Sequence, residues 1–296
     1  VSFTMVVLVK QVPNWSNITG EAMNADGTVN RNALPAVFNP DDLLALELAL
    51  DLKDREGGRV TVLTMGPPRA ADILRDALCR GADRAILLSD RRFAASDTLA
   101  TSYALAQTIS ARLAPFDLVI CGRQAIDGDT AQVGPQVAEK LKLPQVSYVE
   151  RVLERRGDRL LIRRNLGRAH EIVEAQAPLL LTVVGGGGSA RWPNARLLLK
   201  YRRARSTFEL EKTAQARGVP VGLLKDELAD RGLFIETWGV DEIGADLNRT
   251  GLTGSPTKVK KIMNVVLKGK DLKRFAPDDA GVKALVDELT AERTFG

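Results

Sequence analysis

The chain has 296 residues, 45% of them apolar, which is enough to bury a substantial core in one large or two modest domains. Its 42 Lys and Arg against 37 Asp and Glu leave a formal charge of +5, mild for this length and interspersed along the chain, so nucleic acid is not an implied partner. Two cysteines, Cys79 and Cys121, sit far apart within apolar patterns and argue against a disulfide framework, the start "VSFTMVVLVKQVPNW" is too short and strand-like for a signal segment, and nowhere do 18 apolar residues follow one another. A cytoplasmic protein without membrane insertion is expected.

Short β-branched runs at residues 4–9, 60–65, 85–88 and 117–121 read as buried strands, and helical patterns alternate with them. "PDDLLALELALDLKDREGG" from Pro40 has Asp41 and Asp42 in its first turn and Gly57-Gly58 after its end. "PPRAADILRDALCRGAD" predicts a helix stopping at Gly81, and "SDTLATSYALAQTISARL" a third, capped by Ser96 or Asp97. A fourth covers residues 134–141, with Pro135 suited to its first turn. The series is βαβ, which makes a parallel α/β sheet flanked by helices the expected class. After Pro144 two alternating strands turn at Gly157-Asp158, and "APLLLTVVGGGG" adds a strand ending in a glycine break. Domain boundaries are expected at 1–204 for the nucleotide-binding domain and 205–296 for a C-terminal arm. The arm mixes charged, helix-capable and loop segments with a terminal helix over 278–293, a composition suited to lying on a partner.

In an open parallel sheet, ligands gather beyond the carboxyl ends of the strands where the strand order reverses. Four segments leave such ends: residues 10–13, 65–68, 89–101 and 121–136. In the last, "CGRQAIDGDTAQVGPQ", Gly122, Gly128 and Gly134 permit close backbone approach, and the N–H groups entering the next helix can meet a phosphate. An ordinary polar strand-to-helix connection fits the same residues, because the stretch matches neither the dinucleotide G-x-G-x-x-G nor the Walker pattern. Asp127 and Asp129 cannot both face a phosphate, so one is assigned to a cap or turn. In "SDTLATS", Thr98, Thr101 and Ser102 lie near one helix start and form either a second anion site or a plain capped helix. Two neighbouring cradles would suit a pyrophosphate. Side chains for catalysis are scarce: His170 reads as an ordinary strand residue, Cys121 as a small buried thiol, the basic "KYRRAR" at 200–205 as a solvated or docking face, and no spacing suits a metal. Any chemistry would belong to a bound cofactor.

"VVLVKQVPN", "NPDDLLALELAL", "GADRAILLSDRRFAASDTLATSYALA" and above all "CGRQAIDGDTAQVGPQVAEKLKLPQ" resemble the β subunit of an electron transfer flavoprotein, over most of residues 5–183 and again in "GLTGSPTKVKKI". The resemblance implies a Rossmann-like fold of the adenine-nucleotide α-hydrolase kind, paired with an α subunit that carries a redox-active FAD and is wrapped by the C-terminal arm. It carries the nucleotide contacts onto Leu8, Asn39, Pro40, Asp41, Asp42, Met65 and the loop Gly122, Arg123, Gln124, Ala125, Asp127, Gly128, Asp129, Thr130, Ala131, Gln132 and Val133. The family divides by what fills the site: AMP in one branch, a second FAD in the electron-bifurcating branch. "DGTVNRNALPAVFNPDD", the hydroxyl-rich Ser96, Asp97, Thr98 and Thr101, and "GSPTKVKKI" resemble the bifurcating form. That form implies NADH as hydride donor, ferredoxin or flavodoxin as low-potential acceptor, and an acyl-CoA dehydrogenase or quinone oxidoreductase as further partner. "GGGGSARWPNARLLLKYRRA" departs from the family's partner-recognition loop, with Ala195 about where a docking leucine is expected.

Overall fold

The computed structural model describes residues 2–14, 35–257 and 273–292. The resemblances resting on residues 26–34 and 258–262, and the last residue expected of the terminal helix, lie outside them.

A ten-stranded, mostly parallel sheet forms the centre. Its first half alternates strands and helices in chain order: β1 (Phe3–Leu8), a small antiparallel ribbon of β2 (Gln11–Pro13) and β3 (Ala36–Phe38), α1 (Pro40–Glu56), β4 (Gly58–Met65), α2 (Ala71–Arg80), β5 (Arg84–Leu88), α3 (Thr98–Thr108), β6 (Leu118–Gly122) and α4 (Val133–Leu141). The second half contains β7 (Gln145–Arg156), β8 (Arg159–Asn165), β9 (His170–Gln176), β10 (Leu179–Val183), α5 (Ala195–Tyr201), β11 (Arg205–Ser206), α6 (Thr207–Arg217), α7 (Val221–Asp230), β12 (Phe234–Trp238) and α8 (Asp279–Ala291). Spatial order is β11-β12-β5-β4-β1-β6-β10-β7-β8-β9, with β2 and β3 outside it.

The uninterrupted apolar strands follow from helices covering both faces of the sheet. Met5 and Val7 of β1 point into a core shared with Leu46, Leu50 and Leu52 of α1 and Leu74 of α2, whereas Val6 and Leu8 point into the opposite core with Ala104 and Leu105 of α3 and Val137 of α4. Helix boundaries follow local chemistry. Pro40 opens α1 at a position whose N–H has no helical partner, and Gly57 closes it at φ 74°. Asp97 caps α3 by accepting from the N–H groups of Leu99 and Ala100.

Beyond β10 lie the two strands expected about Gly157-Asp158, and they make the antiparallel part of the sheet. The strand β7 runs parallel to β10, β8 returns antiparallel to β7 because the two-residue turn at Gly157-Asp158 allows no other course, and β9 pairs antiparallel with β8. At the opposite edge, residues placed in the arm by composition extend the sheet: β12 pairs in parallel with β5, β11 pairs with β12, and Ile235 and Trp238 are buried. No helix of the described residues is long and apolar enough to cross a membrane.

Candidate functional site

The chain lays β4 and then β5 on one side of β1, and returns to lay β6 and then β10 on the other, so the order reverses between β1 and β6. Leu8, at the end of β1, lies beside Cys121 of β6, and the crevice beyond these two strand ends is where a ligand is expected in such a sheet. The loop that follows β6 is the glycine-containing stretch picked out in the sequence.

The first turn of α1 fastens that crevice together. Asp42 is buried, and its two carboxylate oxygens accept from two different segments: Oδ2 from the N–H of Lys10, just past β1, at 2.8 Å and Oδ1 from the N–H of Gly122, at the end of β6, at 3.0 Å. Asn39, fully buried, donates from Nδ2 to the Gln124 carbonyl at 2.8 Å and accepts at Oδ1 from the Ile126 N–H at 3.1 Å. Burial pushes the Asp42 carboxyl up to about 7, against the pull of Asn39 and of the Gly122 and Lys10 N–H groups. Pro40 is exposed, and Asp41 is half-buried with its carboxyl raised by burial and drawn back by Arg123, whose Nε lies 3.6 Å from Asp41 Oδ2. Asn39 and Asp42, expected to grip the ligand, thus spend their polar atoms on the loop and the strand ends.

The three glycines of the loop separate by role. A Cβ on Gly122 would fall 2.5 Å from Asp42 Oδ1 and 2.6 Å from the Asp42 nitrogen, and one on Gly134 would fall 2.8 Å from Cys121 Sγ. Those two were expected to admit a ligand; they instead let the chain pack against α1 and against β6. Only Gly128 has the anticipated freedom, since a Cβ there meets nothing of the chain within 4 Å. Gly128, Asp129, Thr130 and Gln132 are exposed, Asp129 and Ala131 adopt left-handed φ of 52° and 53°, and Ala125 accepts at its carbonyl from the Asp129 N–H at 2.9 Å. Asp127 is held by Lys10, whose Nζ donates to both carboxylate oxygens at 2.7 and 2.8 Å, and Gln124 donates to Asp129. Both acids are therefore bound within the chain. Val133 begins α4, and Gln132 before it makes no side-chain cap, so the first N–H groups of α4 have no side-chain acceptor there. Arg123 Nε is buried without a hydrogen-bond partner. The uncapped start of α4 is the group of donors here that could meet an anion at the crevice.

The start of α3 is brought against the same loop. Thr98 Oγ1 donates to Gln132 Oε1 at 3.0 Å, and Ser102 Oγ donates to Gln136 Oε1 at 2.9 Å. The helix start itself is filled from within: Asp97 takes the Leu99 and Ala100 N–H groups, and its other oxygen takes the Thr257 N–H at 3.0 Å. Although burial raises the Asp97 carboxyl, these N–H groups outweigh it and hold it below the usual carboxylate range. Ser96 donates to the Phe93 carbonyl at 2.7 Å and Thr101 is half-buried. This segment is thus a capped helix start next to the loop, the plainer of its two readings, because its own carboxylate stands where an anion would. Met65, half-buried, ends β4 on the neighbouring strand.

Lys10 is the residue of the site that sequence reasoning passed over, although it stands in a strand-end segment singled out there. Its ion pair with Asp127 bridges the ends of β1 and β6. His170 lies on the edge strand β9, 3.2 Å from buried Glu150, far from the loop in sheet order. Burial drives the Cys121 thiol well above its ordinary range. Among the described residues no cluster of His, Cys, Asp or Glu could hold a metal.

Residues 26–195 match the model of the electron transfer flavoprotein domain. The chain is 41% identical to the electron transfer flavoprotein subunit beta of Clostridium acetobutylicum, with 90% of each chain covered. It is 39% identical to the acryloyl-CoA reductase electron transfer subunit gamma of Anaerotignum propionicum, with 96% of each covered. Protein FixA of Sinorhizobium fredii is 40% identical, over 87% of this chain and 82% of that one. The chain that forms this crevice at a strand-order reversal, flanked by a glycine loop and a helix start, therefore belongs to the electron transfer flavoprotein family, in its β-subunit branch.

Proposed function

We propose that this chain is the nucleotide-binding β subunit of an electron transfer flavoprotein heterodimer, and that the crevice between β1 and β6 holds the adenosine and phosphate portion of FAD. The observation that carries this reading is the convergence at one strand-order reversal of an unobstructed Gly128 and an α4 start without a side-chain cap, beside an Arg123 whose Nε makes no hydrogen bond and lies 3.6 Å from Asp41. Such donors fit a phosphate, so the residues present suit the group. When bound, the flavin would supply hydride acceptance from NADH and single-electron transfer toward the α-subunit FAD and a ferredoxin or flavodoxin. The chain's own part is to bind and orient: the residue 122–133 backbone and the start of α4 would hold phosphate, Asn39 and Asp42 keep the loop in place, and the Lys10–Asp127 pair borders the mouth. The name of the Anaerotignum relative, an electron transfer subunit of an acryloyl-CoA reductase, supports an enzyme that acts on acyl-CoA as redox partner. Residues 273–292 would form part of a partner-wrapping arm, since Val282, Leu285 and Val286 of α8 are exposed.

One observation favours the narrower alternative of AMP as a structural ligand: Asp97 already occupies the start of α3, which leaves a single cradle, enough for a mononucleotide. Counting nucleotides released from the denatured heterodimer separates the two. About two FAD per heterodimer without AMP supports the bifurcating form, while one FAD with one AMP assigns a conventional electron carrier. A colourless chain that binds ATP or AMP without an α subunit would be a nucleotide sensor and would overturn both.

A further inference from the structure

We propose that Asp42 is a positioning residue for this cradle: its carboxylate ties the ends of β1 and β6 across the strand-order reversal and holds the following loop in register, without touching the ligand. The proposal rests on the nucleotide-binding reading above.

The geometry is specific to a carboxylate. Two backbone N–H groups, of Lys10 on one strand end and Gly122 on the other, converge on two oxygens of one buried side chain. A carboxylate accepts both; an amide would turn its NH2 toward one of them, and a shorter side chain would reach neither. Gly122 packs directly against this helix turn, since even a methyl group there would collide with Asp42 and with the backbone of Asp41. Asn39 extends the fastening further along the loop by holding the Gln124 carbonyl and the Ile126 N–H. The α1 turn from Asn39 to Asp42 therefore fixes where the loop leaves β6, and the exposed loop residues beyond Ile126 inherit that placement.

The charged and titratable groups around Asp42 are few. Asp41 on its own helix turn is paired with Arg123 at the end of β6, Lys10 at the end of β1 directs its ammonium to Asp127, and the Cys121 thiol on β6 is neutral. None of the cations pairs with Asp42 directly among the described residues. Protonating it turns one charged acceptor oxygen into a hydroxyl, a poorer acceptor, which weakens one half of the tie. If the nucleotide selects the tied loop, binding expels that proton when Asp42 is partly protonated.

The test is titration calorimetry of AMP into the nucleotide-stripped heterodimer, in buffers of different ionisation enthalpy between pH 6 and 8, with wild type and Asp42→Asn. Proton release near pH 7 in wild type, its loss in the variant, and an affinity lower by about tenfold and flat with pH are expected. Equal affinity and an unchanged pH profile in Asp42→Asn would overturn the proposal. Because the variant can fail to fold, a second measurement uses wild type alone: amide exchange at Lys10 and Gly122 without nucleotide should be slower, relative to neighbouring loop amides, at pH 8 than at pH 6. Identical relative protection at both values would overturn it as well. Should wild type show no affinity for AMP or FAD, the nucleotide-binding reading fails, while the exchange measurement still reports whether the tie exists.

Discussion

Two glycines six residues apart in the same loop should behave in opposite ways when given a side chain. At Gly122 an alanine methyl would sit 2.5 Å from Asp42 Oδ1 and 2.6 Å from the carbonyl carbon of Asp41 and the nitrogen of Asp42. Two of those three neighbours are helix backbone and cannot rotate aside. Overpacking of this kind costs about 1 to 3 kcal/mol, and the shift that relieves it lengthens the Gly122 N–H to Asp42 bond, a charge-assisted contact worth about 1.5 to 3 kcal/mol. Gly122→Ala should therefore lower the thermal midpoint by something on the order of 10 °C. At Gly128 the corresponding space is open, so Gly128→Val should leave the nucleotide-free midpoint within about 2 °C of wild type and act on ligand retention alone. Thermal melts of both variants, stripped of nucleotide and then saturated with it, read the two effects separately. A Gly122→Ala protein as stable as wild type, or a Gly128→Val protein that melts early without ligand, would refute this division of roles.

Asn39→Ala removes two buried hydrogen bonds to the loop and leaves the Ile126 N–H and Gln124 carbonyl without that partner; urea denaturation should show a loss of about 2 to 3 kcal/mol. Asp42 shapes the pH dependence of stability. With its folded value up at about 7 against an ordinary value of 3.8, the folded chain holds an extra proton between those limits, so this group's contribution is most favourable at pH 4 and declines by up to about 1.4 kcal/mol per unit until pH 7. The difference between wild type and Asp42→Asn in urea midpoints across pH 4 to 8 isolates that slope, and a difference independent of pH would contradict it. Cys121, buried and with its thiol raised out of the thiolate range, should resist alkylation at neutral pH in the native chain and react on denaturation, as mass spectrometry of peptides from both states would show.

The strands at residues 4–9, 60–65, 85–88 and 117–121 were legible because burial on both faces writes an unbroken apolar run into the sequence, and β1, β4, β5 and β6 fall within a residue or two of them. Helix ends were equally legible where one residue sets them, as at Pro40, Gly57, Gly81 and Asp97. The strand β12 was not, because in "FIETW" only Ile235 and Trp238 are buried and the stretch sits among charged residues. Within the site, sequence could place residues on the right loops but not say what faced what. Asp42 reads from sequence as an ordinary acid in a first helical turn; its true partners come from two segments 32 and 80 residues away. Gly122, Gly128 and Gly134 look alike in a string of letters, and only the packing of α1 and α4 distinguishes them.

The parallel pairing of β12 with β5 bears on how the chain is made. Leu88 leaves the ribosome 146 residues before Phe234, the first residue of the strand that covers its edge. At about 5 to 20 residues per second, β5 waits roughly 7 to 30 s with an open row of backbone donors and acceptors. During that interval the nascent sheet can be capped only by a foreign strand or a chaperone. Stalled or prematurely terminated synthesis between residues 88 and 234 should yield aggregates seeded at this edge, whereas interruption after Trp238 should not.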